Sequence, residues 1–193
     1  MAGRIPLVLL AAVLAVAGCN RPPQEDMVES INAALERTTP ERVGTVAPGS
    51  PEEAAALARF ADLVSDMSPE RTAGLVPEVY ADSVYFNDTL KEVHGADALA
   101  EYFRHSLGGA DQVTAEVLDV ARSGGDVYVR WVMTIRFKKL ADGQPTRTTG
   151  MSHLRFDGDG KVVFHHDYWD STAGFFQYVP VVGRLIRYVK GKL

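Results

Sequence analysis

The chain has 193 residues, 46% of them hydrophobic, and a formal net charge of −5 at neutral pH. A mildly acidic chain offers nothing to a phosphate backbone, so nucleic acid is excluded as a partner. A single cysteine rules out an internal disulfide, leaving one hydrophobic core, for which the length suffices, as the source of stability.

The first expected element is a targeting segment. Arg4 is followed by residues 7–17 without a charge and then by Val16-Ala17-Gly18-Cys19. This is a basic start, an apolar run and small residues at a cleavage position. The run falls short of the ~20 residues that cross a bilayer. The string resembles the lipobox of bacterial lipoproteins. That resemblance implies a signal peptide over residues 1–18, acylation of the Cys19 thiol with chains such as palmitate, and contact with a membrane through the lipid. Position 20 is asparagine and not the aspartate associated with inner-membrane retention, which implies an outer-membrane location facing the periplasm.

Residues 19–51 are rich in proline, glycine and small polar residues, which predicts a flexible tether, with a short helix over residues 27–37. The folded domain is expected over residues 52–193. Ser50-Pro51-Glu52-Glu53 carries a helix N-cap, a first-turn proline and a capping-box glutamate. The helix it starts runs to about residue 66, with Ala56, Leu57, Phe60, Leu63 and Val64 inward. Ser68-Pro69 opens a second helix ending near Tyr80. Residues 84–88 alternate like a strand, residues 92–94 pair back on it, and Gly95 precedes a third helix over 96–107 with Leu99, Tyr102, Phe103 and Leu107 inward. The period then changes to two, predicting long strands over residues 113–121, 128–138, 147–156 and 161–170, joined by turn sequences. Helices first and a meander second predict an α+β domain whose N-terminal helices pack on one face of a curved, mainly antiparallel sheet.

Three strings carry a further resemblance: Phe86-Asn87-Asp88-Thr89-Leu90-Lys91-Glu92-Val93-His94-Gly95, His165-His166-Asp167-Tyr168-Trp169-Asp170, and Pro180-Val181-Val182-Gly183. In this order they resemble the SnoaL-like branch of the nuclear transport factor 2 superfamily, a cone of helices over a curved sheet. The resemblance spans about residues 52–193. It implies no cofactor, and it leaves function open, since members include isomerases, cyclases, dehydratases and non-catalytic binders. Asp88 matches the position of the general base in the isomerase branch, where burial raises a carboxyl pKa into a useful range. The proline of that branch is replaced by Thr89. The first helix offers Phe60 where isomerases need a tyrosine, which argues against steroid isomerisation. Asp88 is therefore either a base or a turn residue leading into Thr89.

Even-length loops at residues 157–160 place Ser152 opposite His165, Gly150 opposite Asp167 and Thr148 opposite Trp169. Small residues then face a histidine, an acid and an indole, leaving room for a ligand. The other face pairs Arg147 with Asp170 and Met151 with His166. His165 and Asp167 share a face and are candidates, with Asp88, for proton transfer; the alternative is a satisfied wall histidine with an anchoring acid. Trp131, Met133, Ile135 and Phe137 form an apolar stripe that is core or pocket wall. With Phe86, Tyr102, Ser152 and Trp169, Trp131 and Met133 complete the expected ligand-binding set. No metal site is expected, because adjacent strand residues His165 and His166 point to opposite faces.

The tail, residues 173–193, combines Phe175, Phe176 and Tyr178 with a basic end and a helical apolar spacing at Val182, Leu185, Ile186, Val189 and Leu193. Such an amphipathic helix closes the sheet, covers the face of a homodimer, or lies on a membrane. The functional expectation is a lipid-anchored envelope protein whose cone binds a small apolar or amphipathic molecule. The alternatives are a cofactor-independent isomerase, cyclase or hydratase, and a non-catalytic protein-interaction module.

Overall fold

The computed structural model describes residues 26–192. Cys19, the cleavage site and the first residues of the expected tether lie outside them. The chain divides into two compact units, one ending at Ala33 and the other running from Ala34. Helix α1 (Met27–Arg37) spans the division, as its apolar spacing predicts. The rest of the architecture belongs to the second unit. It contains α2 (Pro40–Val43), α3 (Pro51–Ser65), α4 (Pro69–Val79), β1 (Tyr80–Asn87), β2 (Glu92–His94) and α5 (Ala96–Leu107). The strands β3 (Ala110–Ser123), β4 (Asp126–Phe137), β5 (Pro145–Phe156) and β6 (Val162–Trp169) follow, then the short α6 (Ser171–Gly174) and α7 (Val182–Lys190).

The six strands form one sheet in the order β2-β1-β6-β5-β4-β3, antiparallel throughout except for β1 beside β6. Register shifts within β3 and near the ends of β5 and β1 bend the sheet, as bulges do. Its concave face holds Val113, Ala115, Val129, Trp131, Ile135 and Leu154, covered by Phe60 and Leu63 of α3 and by Leu99 and Phe103 of α5. This is an α+β cone.

Local chemistry explains the elements. Ser50 Oγ accepts the Glu53 amide at 3.1 Å and Pro51 occupies the first turn of α3. The Glu53 carboxylate reaches back to the Gly49 amide at 2.7 Å, one residue before the position of a standard capping box. Its other partner is Arg122 on β3, so the same side chain ties the helix start to the sheet.

The tether expected to end at residue 51 differs in its second half. Ala34 is fully buried, Val46 joins the core, and Arg155 of β5 donates to the Leu35 carbonyl at 2.5 Å. Residues 34–50 therefore pack on the domain: small residues let the backbone approach, and a strand arginine holds it. The proline and glycine content marked irregular chain, which here is ordered by its neighbours.

The hairpin between β5 and β6 also corrects an expectation. Its loop has three residues, because Phe156 pairs with Val162 and Asp157 donates its amide to the Lys161 carbonyl at 2.9 Å. Gly160 takes the left-handed conformation (φ 75°) that such a loop needs. A three-residue loop alone would turn every β6 side chain to the wrong face. The register shift that follows it adds one residue to β6 and restores the parity. Hence Gly150 faces Trp169, Ser152 faces Asp167, Leu154 faces His165, Met151 faces Tyr168 and His153 faces His166. The faces are those expected; the partners are displaced by two residues.

The tail forms α7, of which only Gly183 is buried, while Leu185 and Tyr188 are largely exposed. Within the chain, it is Phe175 and Tyr178, ahead of α7, that close on the sheet, their tilted rings centred 5.8 and 6.4 Å from that of Phe137.

Candidate functional site

The concave face encloses a cavity of about 410 Å³ between the sheet, α3 and α5. Its wall is mostly apolar. Every residue singled out from the sequence lines it: Asp88, His165 and Asp167, and also Phe86, Tyr102, Trp131, Met133, Ser152 and Trp169. His166, on the opposite face of β6, does not.

Tyr80, His165, Asp167, Ser152 and the Trp131 indole form a continuous network, and Asp88 with Tyr102 and Trp169 forms a second group. His165 Nε2 lies 2.8 Å from Asp167 Oδ1, and its Nδ1 lies 3.0 Å from the Tyr80 hydroxyl. In the Nε2–H tautomer the ring donates to Asp167 and Tyr80 donates to Nδ1. Ser152 Oγ donates to the same Asp167 oxygen at 2.6 Å and accepts from Trp131 Nε1 at 3.0 Å. Phe86 and Phe60 set ring edges against His165, with centroids at 4.8 and 5.6 Å. The histidine is thus fixed in plane by two hydrogen bonds and across its faces by apolar rings.

Asp88 does two jobs. Its Oδ1 accepts the amides of Leu90 and Lys91 at 3.0 and 2.9 Å, which holds the β1–β2 turn. Its Oδ2 accepts the Tyr102 hydroxyl at 2.5 Å, and its carbonyl accepts Trp169 Nε1 at 2.8 Å. Of the two readings of this residue, these contacts show the turn role. Burial pushes the Asp88 carboxyl above the usual carboxylate range; the Tyr102 and amide hydrogen bonds oppose this, and the charge of Asp167 adds to it. Burial first, and then Asp88, pushes the Tyr102 phenol up; burial and Asp167 do the same to Tyr80.

Thr89 sits at φ 71°. A proline, with φ fixed near −65°, could not occupy that position, so the substitution noted in the sequence belongs to a differently folded turn. Gly150 explains how two indoles enter the cavity: a Cβ there would collide with the Trp131 ring and the Trp169 Cβ.

Tyr80 is the residue that sequence reasoning missed. It is the first residue of β1, directly after α4, and not in the first helix, where a tyrosine was sought. Alternation from Phe86 and Val84 does not reach it, because Asp82 is exposed and the register shifts between Tyr80 and Tyr85. Phe175, read only as the aromatic start of the tail, also lines the cavity.

A family model for the SnoaL-like domain matches residues 57–165. Among solved structures, the chain is similar to a hypothetical protein with a ketosteroid isomerase-like fold from Catenulispora acidiphila, in complex with trimethylamine. That likeness has a TM-score of 0.55 at 15% identity and covers 69% of this chain and 97% of that one. It is also similar to an LEH-like epoxide hydrolase from M. tuberculosis, with a TM-score of 0.53 at 15% identity over 73% and 99% of the two chains. No curated protein matches the chain. At these identities the likeness is one of fold.

Proposed function

The chain belongs to the SnoaL-like domain family, and from that premise we propose that its cone binds a small, partly apolar molecule. The observation that carries the reading is the cavity itself: about 410 Å³, lined by aromatic and aliphatic side chains, with one ordered polar network on its wall. Convergent polar groups in a preformed apolar cleft are what a small-molecule site requires. We further propose that the domain is held at the bacterial envelope by a lipid on Cys19, following the lipobox-like string.

Nile red, a neutral dye that brightens in apolar surroundings, tests the binding reading. Saturable brightening is expected with the unaltered protein. Ala115→Phe, which fills the cavity from β3, should abolish it while the thermal unfolding stays cooperative. Brightening that survives Ala115→Phe, or none with the unaltered protein, would contradict an open binding cone.

One observation favours a second reading, acid–base catalysis without a cofactor. The Asp88 carboxyl, raised by burial, shares its cavity with the His165–Asp167 pair. Protein-dependent deuterium uptake at the α-carbon of a cyclic enone in D2O, lost in Asp88→Asn, would support it. Uptake no faster than buffer would leave binding as the function.

A further inference from the structure

The hydrogen-bonding inventory of the cavity constrains the polar group of its occupant. On the network side each side-chain donor is already committed. Tyr80 and both His165 ring nitrogens are paired, with each other and with Asp167, while Ser152 donates to Asp167 and Trp131 to Ser152. Tyr102 donates to Asp88, and the Trp169 indole to the Asp88 carbonyl. The remaining lining hydroxyl, Ser106, is on an exposed residue and hydrogen-bonds the Tyr102 phenol oxygen. What the wall leaves open are acceptors. Asp167 Oδ1 takes two hydrogen bonds, while its Oδ2 has no partner among the described residues. Asp88 Oδ2 takes one and has a lone pair to spare.

The charge inventory points the same way. Among the described residues the cavity is lined by two aspartates and one histidine and by no lysine or arginine. An anionic head would meet carboxylates and find no free donor. A neutral acceptor such as a ketone would find none either unless the network broke. A cation meets two carboxylates and, in the same cavity, the aromatic rings of Tyr102 and Trp169, a ring type that attracts an ammonium group. The Tyr102 ring already draws a cation in this way: the Lys91 ammonium lies 5.6 Å from its centroid.

We propose that the occupant of the cone is a protonated amine with an apolar body, its ammonium group held between Asp88 and Asp167 and its body against the aromatic and aliphatic wall. The proposal deepens the binding reading and rests on it.

The chain has two tryptophans, and both line the cavity, so its intrinsic fluorescence reports on this site. The test compares three probes with one body and different heads: 2-phenylethylamine, 2-phenylethanol and 3-phenylpropionate, each titrated into the full chain. The amine is expected to saturate the fluorescence change at a concentration at least about tenfold lower than the alcohol, given the strength of hydrogen bonds to charged groups. The acid should give no saturable change. Asp167→Asn and Asp88→Asn should each weaken the amine more than the alcohol and so shrink the gap between them. The probe series uses the unaltered protein and so decides the matter even if a variant fails to fold. Alcohol or acid binding as tightly as the amine overturns the proposal. Saturation by Nile red with no amine preference overturns it and spares the binding reading; failure of Nile red and of all three probes overturns both.

Discussion

Asp167 stands directly opposite Ser152 across the β5–β6 pair and accepts its hydroxyl hydrogen at 2.6 Å. Through that serine the carboxylate also fixes the Trp131 indole, whose N–H ends on Ser152 Oγ. Ser152→Ala should leave a buried indole N–H without a partner, at a cost of about 1–3 kcal/mol. Denaturant unfolding measures the cost, and a shifted tryptophan emission would report the released ring. Unchanged stability and emission would mean that Trp131 is held by packing alone.

Asp88 gives a pH dependence of definite sign. Its carboxyl is raised above the ordinary value by burial, so between the unfolded and folded pKa values the native state binds more protons than the unfolded state. Its contribution therefore makes stability fall as pH rises through that window and then level off. Asp88→Asn should remove this fall, visible as the difference between the two melting-temperature curves from acid to neutral pH. Parallel curves would contradict the account of Asp88 as a buried carboxyl.

Glu53 has the opposite sign. The hydrogen bond from Arg122 is the largest influence on its carboxyl and holds it below the usual range, against a burial effect that pushes up. Its contribution is complete above the ordinary glutamate pKa and is lost as pH falls through the lowered value. Glu53→Gln should cost about 1–3 kcal/mol at neutral pH, the smaller part of that range because Arg122 is partly solvated. The check is denaturant unfolding at neutral and acidic pH, where the difference between variant and parent should shrink.

The proposed envelope location rests on Cys19. Cys19→Ser should abolish incorporation of labelled fatty acid and leave the precursor uncut before residue 19. Fractionation of the parent chain should place it with the outer membrane. Unchanged labelling in the variant would remove the lipid anchor from the account.

The periodicities made much of the fold legible. The spacing at residues 50–66 and 96–107 predicted α3 and α5, and the change to period two predicted the long strands. The parity of β6 was readable because the inner residues alternate with the outer ones over the whole strand. Its register was not, since three loop residues and a compensating bulge have the same parity as an even loop. Tyr80 was hidden by a junction: a helix runs into a strand with a register shift between Tyr80 and Tyr85, where neither period applies. The packing of residues 34–50 was illegible for another reason. Composition reports how readily a segment stays solvated, whereas Arg155 and the buried positions of Ala34 and Val46 are tertiary facts.

The central claim is that the cone is a binding site, and mass spectrometry of the folded protein under non-denaturing conditions tests it most directly. The protein purified from its native cells should carry a small organic molecule in near-stoichiometric amount. That molecule should be released on unfolding and absent from Ala115→Phe prepared in the same way. A bare chain mass for the parent, with no bound species gained when Nile red is added, would contradict the account.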